Sequence, residues 1–192
     1  MSALQTRTNL AWLLAAAVVT VLALPGVSEA RWRGAQGACQ AASAQVGHAS
    51  RAQLLRGTLC LMNVERARRG LPQLRLNRRL SRAATRHSRD MVRRHYFSHD
   101  SLGGASFVDR VRRTGYLRSV RSWNLGENLA WGSGNRGTPE QIVRAWMKSP
   151  GHRSNILTGR FREVGIGVSA GAPVRVDGVP AATYTTNFGA RS

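Results

Sequence analysis

The sequence is short of acid. It sets 9 Asp+Glu against 29 Lys+Arg, a formal net charge of +20. It is nearly without lysine as well: Lys148 stands alone, so the other 28 basic residues are arginine. Two cysteines are too few for a disulfide framework or a four-thiolate zinc site, and the core must come from ordinary apolar packing. Aromatic residues make up 6%, and no recognised nucleic-acid-binding motif accompanies the arginines, so specific nucleic-acid recognition is not expected. The arginine excess has two readings: arginine in place of lysine across an ordinary surface, or attraction to an acidic polymer. With 192 residues, 42% hydrophobic and 20% charged, the chain is neither a multi-domain assembly nor a disordered polyelectrolyte. No internal repeat is present.

One long apolar run exists. Leu10 to Leu24 carries no charge for 15 residues, short of the roughly 20 needed to span a bilayer. Arg7 precedes it, Pro25 and Gly26 break it, and Ser28-Glu29-Ala30 supplies small residues before a cut after Ala30. Residues 1–30 therefore read as a Sec-type signal peptide, with an uncleaved N-terminal anchor as the alternative. The leader holds one Arg and one Glu, so the mature charge stays +20. Export places the chain in an oxidising compartment, where Cys39 and Cys60 are the only disulfide candidates. Their bond closes a loop of roughly 20 residues, worth about 3 kcal/mol in the chain-entropy model, and staples an Ala/Gly/Ser/Gln-rich linker, 31–53, to the first helix.

The domain proper reads as 54–192. A helix is expected from Ala52 to Arg69, with Leu55, Leu59 and Met62 on one stripe and Gly70 and Pro72 ending it. A second follows Asn77 as N-cap and runs to His95. Its Leu80, Ala84, His87 and Met91 repeat at helical spacing, while Arg82, Arg86, Arg89 and Arg93 fall elsewhere on its surface. His87 reads as a hydrogen-bonded core histidine rather than a ligand. Ser106 with Asp109 opens a third helix that Gly115 closes. Thr138-Pro139-Glu140-Gln141 opens a fourth that stops before Pro150-Gly151. After that the period changes to two. Val164, Ile166 and Val168, then Ala182, Tyr184, Thr186 and Phe188, read as an antiparallel pair turning at Asp177-Gly178.

Chemistry concentrates in three segments read as loops or helix ends: His95-Tyr96-Phe97-Ser98-His99-Asp100, Leu125-Gly126-Glu127-Asn128-Leu129-Ala130-Trp131-Gly132, and Trp146-Met147-Lys148-Ser149-Pro150-Gly151-His152-Arg153-Ser154-Asn155-Ile156-Leu157. Asn128 and Asn155 read as residues that bond loop backbone, and Trp123 and Trp131 as core packing, with the lining of a ligand groove as the alternative. FSHD, GENLAWG and SPGHRSNIL, in that order, resemble the bacterial branch of the CAP superfamily: cysteine-rich secretory proteins, antigen 5 and pathogenesis-related group 1 proteins. The opening LMNVERARRGLPQL and the closing REVGIGVSAG and NFG extend the resemblance over roughly residues 54–189. It implies an α+β fold, an α-β-α sandwich with a small antiparallel sheet between helical layers. It also implies a cleft of two histidines and two acids, matched here by His99, Glu127 and His152. The second acid falls on Ser149, so the set is incomplete.

Judged without the family, two imidazoles and a carboxylate suffice as a first shell for Zn²⁺ or another divalent metal, with His99 and His152 as metal ligands and Glu127 and His152 as catalytic candidates. The same three residues would serve equally as a hydrogen-bonded network pinning loops together. Two functional readings follow. The first is a secreted, non-enzymatic binding module for a cell-wall polymer, lipid or host ligand, polyanionic or lipidic in character. The second is a metal-dependent hydrolase using His99, Glu127 and His152.

Overall fold

The structure, a computed structural model, describes residues 39–176 and 178–192. The signal-peptide reading and Asp177 of the Asp177-Gly178 turn lie outside the described residues. The rest form five α-helices and four strands: α1 (Arg51–Ala67), β1 (Arg75–Leu76), α2 (Arg78–Arg94), α3 (Phe107–Arg113), β2 (Trp123–Ser133), α4 (Pro139–Lys148), α5 (Pro150–Leu157), β3 (Glu163–Ala170) and β4 (Ala181–Arg191).

The helix starts follow the side chains that cap them. Ser50 and Gln53 form a capping box for α1, and Ser106 and Asp109 form one for α3. The Asn77 side chain accepts from the backbone N–H of Arg79 and Leu80, and Thr138 accepts from that of Gln141. These bonds satisfy donors that a helix N-terminus otherwise leaves open. On α2 the predicted stripe is the buried one. On α1 it is displaced: Leu54, Leu61 and Met62 are buried, whereas Leu55 and Leu59 are half-buried. The helix is covered on two sides, by the sheet and by α4, so its apolar face is broader than one stripe.

Two elements differ from the sequence expectation. Pro150 does not end helical structure; it stands at the first position of α5. Proline's fixed φ and missing N–H suit that position, and its ring pushes the preceding residue out of the helical region. Ser149 accordingly takes φ −92°, ψ 121°, closing α4 and opening α5. The second difference is β2. The GENLAWG segment, read as a loop, is the middle of an eleven-residue strand. Helices cover it on both sides, so residues 126–129 are all buried and the polar–apolar alternation of a half-exposed strand is lost.

The sheet order is β1-β3-β4-β2. The long strands are antiparallel, as expected, with Gly165↔Asn187 and Glu127↔Asn187 in register. The two-residue β1 adds a parallel pair at the edge, making the sheet mixed. One face carries Val164, Ile166, Val168, Tyr184 and Phe188 into a core with Leu61, Met62, Ile142 and Trp146. The other is covered by α2, close enough that a Cβ on Gly165 or Gly167 would meet α2 backbone at 2.0 or 2.3 Å. There Ser88 Oγ donates to Thr185 Oγ1 at 2.8 Å. Helices on both faces make the α-β-α sandwich. Cys39 and Cys60 are bonded, and Ala42 and Val46 from the segment so held are buried in the first core.

Arg66 joins the layers at one corner. It is 0% exposed, yet it pairs with no acid among the described residues. Its Nε donates to Pro72 O, Nη1 to Ile156 O and Thr158 O, and Nη2 to Phe161 O, all at 2.7–3.0 Å. The Ile156 and Thr158 carbonyls close the C-terminal end of α5, where the helix dipole is negative. Burial first, and the nearby Arg162 charge second, pull the Arg66 pKa down. Removing the guanidinium strands buried carbonyls at about 1–3 kcal/mol each. Arg66→Met is therefore expected to lower the unfolding free energy by about 3 kcal/mol or more, read from urea denaturation. Arg66→Lys should recover only part, because an ammonium cannot fork to so many acceptors. An Arg66→Met protein as stable as wild type would refute this role.

Candidate functional site

Glu127 is the centre of the site. It points from β2 to the α2/α3 side of the sheet, and its side chain is 1% exposed. Arg110, on α3 and 8% exposed, donates through Nη2 to both carboxylate oxygens, at 3.0 Å to Oε1 and 2.8 Å to Oε2. His99 Nδ1 donates to Oε1 at 2.9 Å. With the Asn187 amide set in the orientation that satisfies both its polar atoms, its nitrogen donates to Oε2 at 2.9 Å. A carboxylate has about four lone-pair directions, and here each has a donor. Through Nη1, Arg110 also holds Ala105 O and Ser101 Oγ, tying the 101–105 segment to the strand.

His99 is delivered by the loop after α2. The helix stops at His95, which takes φ 54°. The loop is then clamped from within: buried His87 donates through Nε2 to Ser98 O at 2.9 Å, and its ring lies edge-on to Tyr96. His87 is thus the core histidine the sequence indicates. The His99 side chain is 55% exposed. Because Nδ1 gives its proton to Glu127, the neutral ring presents a bare Nε2 to the outside, the orientation a carboxylate imposes on a metal-binding histidine.

His152 arrives from the opposite layer. Asn128 Nδ2 donates to His152 O at 3.0 Å, and Asn155 Nδ2 donates to Glu127 O and Asn128 Oδ1. The two asparagines do bond backbone, as expected, but they join a strand to a helix rather than shaping loops. Trp146 Nε1 donates to Leu129 O and fixes α4 to the same strand. Ser149 lies at the α4/α5 junction, and its hydroxyl caps neither helix. Of the tryptophans read as core, Trp131 is half-buried and Trp123 is 42% exposed, at the outer end of β2.

The two imidazoles have opposite electrostatics. The hydrogen bond to Glu127 is the largest influence on His99 and raises its pKa. Burial lowers that of His152, and the His99 charge lowers it further. Among the described residues, no group of three or more His, Cys, Asp or Glu side chains converges as a metal centre. Glu127, the acid bonded to His99, has both oxygens committed to other donors.

Arg110 is the residue that sequence reasoning missed. One signal was available: a carboxylate inside an apolar strand needs a cation, and this chain has three for every acid. Which arginine answers is set by tertiary structure alone.

The cysteine-rich secretory protein (CAP) family model matches residues 59–186, and the chain belongs to that family. It is 39% identical over 107 residues to the Bacillus subtilis protein YkwD, covering 56% of this chain and 39% of that protein. It is 34% identical over 110 residues to the Bacillus subtilis membrane protein YlbC, covering 57% and 30%. The chain thus spans about a third of the length of these curated relatives. Among solved structures it resembles an extracellular SCP-domain protein from Bacillus anthracis, with TM-score 0.55 and 28% identity over 74% of this chain and 44% of that one. An outer surface protein from Borrelia burgdorferi shares the fold at TM-score 0.58 and 19% identity, over 75% and 97%.

The opposite shifts give a pH signature. A pKa raised on folding stabilises the fold fully below the unfolded value, about 6.5, and that contribution is lost as pH rises through the folded value. His99 should behave so. His152, lowered, should have the reverse sign, destabilising the fold as pH falls from about 6.5 through its folded value. In chelator-treated protein, NMR titration should place His99 above 6.5 and His152 below it. Coincident titration of both at the value of a free histidine would refute the assignment.

Proposed function

We propose that the protein is an exported, non-enzymatic binding module of the CAP family, and that its cleft engages an extracellular ligand through His99 and His152. The observation that carries this reading is the saturation of Glu127. A general base needs a free lone pair within reach of the proton it takes. Here every lone pair is occupied, and Ser149 stands where the family pattern has a second acid. The remaining surface is an imidazole that holds its charge to higher pH beside one that stays neutral to lower pH. That pair offers a cation and an acceptor to a polar or anionic group.

A divalent metal in this cleft would be held by His99 Nε2 and His152, with Glu127 orienting His99 from behind. Two imidazoles fall short of the three protein ligands of a catalytic zinc site, which supports reversible binding over a resident ion. Zinc titration by calorimetry should show weak uptake by wild type, abolished in His99→Ala and in His152→Ala. Unchanged uptake in either variant would reject the cleft as the metal site. Hydrolysis of a peptide, glycan or phosphodiester, lost in Glu127→Gln, would instead favour the metal-dependent hydrolase.

Export rests on the reading of residues 1–30 and gains support from relatives described as extracellular or outer-surface proteins. Among the described residues no helix is long and apolar enough to cross a membrane. YlbC, described as a membrane protein, favours the anchored alternative. N-terminal sequencing of the exported chain separates the two: cleavage after Ala30 supports secretion, and an intact leader supports anchoring.

A further inference from the structure

Trp123 begins β2 and is 42% exposed. It stands four positions before Glu127 in an unbroken register, so it faces the same α2/α3 side of the sheet. There it walls a hollow of about 320 Å³ together with Arg112, Arg113, Gly115, Leu117 and Arg118. The hollow has a fixed floor. Gly115 takes φ 79°, its carbonyl accepts from Arg79 Nη1 at 3.0 Å, and Leu117 packs on the core cluster of Leu80, Val111 and Tyr116. No acid lines it. Arg112 is paired with Asp109 at 2.9 Å. The guanidinium groups of Arg113 and Arg118 are exposed and make no hydrogen bond or ion pair among the described residues. The indole is bare as well: its cross-strand partner Arg191 lies over the Tyr116 ring instead, 4.5 Å from the centroid. Among the described residues no ring or guanidinium stacks on Trp123.

These groups select a ligand by elimination. Every polar side chain on the wall, three guanidiniums and an indole, donates hydrogen bonds and accepts none. Sugar hydroxyls need acceptors as well as donors, and no side chain here supplies one. An acidic peptide would answer the cations and leave the ring face idle. A bilayer would need an apolar tip that projects, whereas Trp123 is one wall of a concavity, in a strand paired along its length with β4. What remains is an acceptor-only anion joined to a flat ring: a phosphate beside a nucleobase. The basic surface also continues past a single nucleotide. Arg113 borders a second groove whose walls carry Arg86 and Arg89, both exposed, so a chain of phosphates finds further cations on α2. Recognition by stacking and charge reads no sequence, in keeping with the lack of a sequence-reading motif.

We propose that this hollow binds single-stranded nucleic acid, stacking one base on Trp123 and seating its phosphates on Arg113 and Arg118. The inference does not depend on what the histidine cleft binds. Fluorescence titration at about 0.15 M salt should show a thymidine dodecamer bound about tenfold or more tightly than an abasic dodecamer with the same phosphates. Trp123→Ala should weaken the thymidine dodecamer about tenfold, a loss of about 1.4 kcal/mol, and bind both oligonucleotides alike. Trp123→Phe should recover most of that loss. Arg113→Gln with Arg118→Gln should reduce the slope of log K against log salt by about 1.4, roughly 0.7 for each phosphate contact. Arg51→Gln with Arg56→Gln, which removes the same charge from α1, should change affinity by less than about twofold. An abasic dodecamer bound as tightly as the thymidine one would overturn the proposal, as would wild-type affinity in Trp123→Ala. So would an equal loss from the α1 pair, or tighter binding of polyglutamate, tetragalacturonate or phosphatidylglycerol vesicles at equal charge.

Discussion

A carboxylate taken out of water must be met by a cation and by hydrogen-bond donors, or it destabilises the fold that buries it. Glu127 is such a group, and the Arg110 guanidinium answers it on both oxygens. The consequences spread through the site. Arg110 is anchored in α3 and draws the 101–105 segment inward through Ala105 O. With Oε2 held by Arg110 and Asn187, Oε1 remains to receive His99, whose ring is thereby fixed in one tautomer and orientation. The Glu127 backbone carbonyl, meanwhile, accepts from Asn155 and helps seat α5, the helix that carries His152. One residue thus organises both halves of the cleft.

The two layers depend on this centre differently. On the α2/α3 side, contact is close because glycines of β3 allow the helix backbone to lie against the sheet. On the other side, α4 and α5 are separate helices joined at Ser149: the Trp146 indole and the Asn155 amide donate to β2 backbone, and the Asn128 side chain bonds α5 in return. Arg66 does for the far end of α5 what the asparagines do for its start. The protein uses its abundant arginine in two distinct ways: buried singly as a multi-acceptor clamp, and exposed in series along α2.

Much of this was legible in the chain. Capping residues at 77, 106 and 138 place three helix starts, and strict alternation around 164–168 and 182–188 places two strands. The three motifs that carry His99, Glu127 and His152 mark the site by family resemblance. What was not legible has physical reasons. β2 is covered on both faces, so Gly126, Glu127 and Asn128 do not alternate by polarity. Pro150 reads equally as a stop or a start, and the choice rests on the Asn128–His152 and Asn155–Glu127 contacts made at a distance in sequence. Arg110 and Arg66 look like any other arginine in so basic a chain, and only their partners, seventeen and ninety or more positions away, distinguish them.

The central claim is that Glu127 and Arg110 act as one neutralised unit that builds the site and takes no part in proton transfer. A double-mutant cycle tests it directly, with unfolding free energies measured for wild type, Arg110→Met, Glu127→Gln and the double variant. If the pair is one unit, Arg110→Met alone strands a buried charge and costs about 3–5 kcal/mol. Adding Glu127→Gln should then restore much of the loss, with a coupling of about 2 kcal/mol or more. Additive effects within about 0.5 kcal/mol would mean that the two side chains do not depend on each other, and the account would fail.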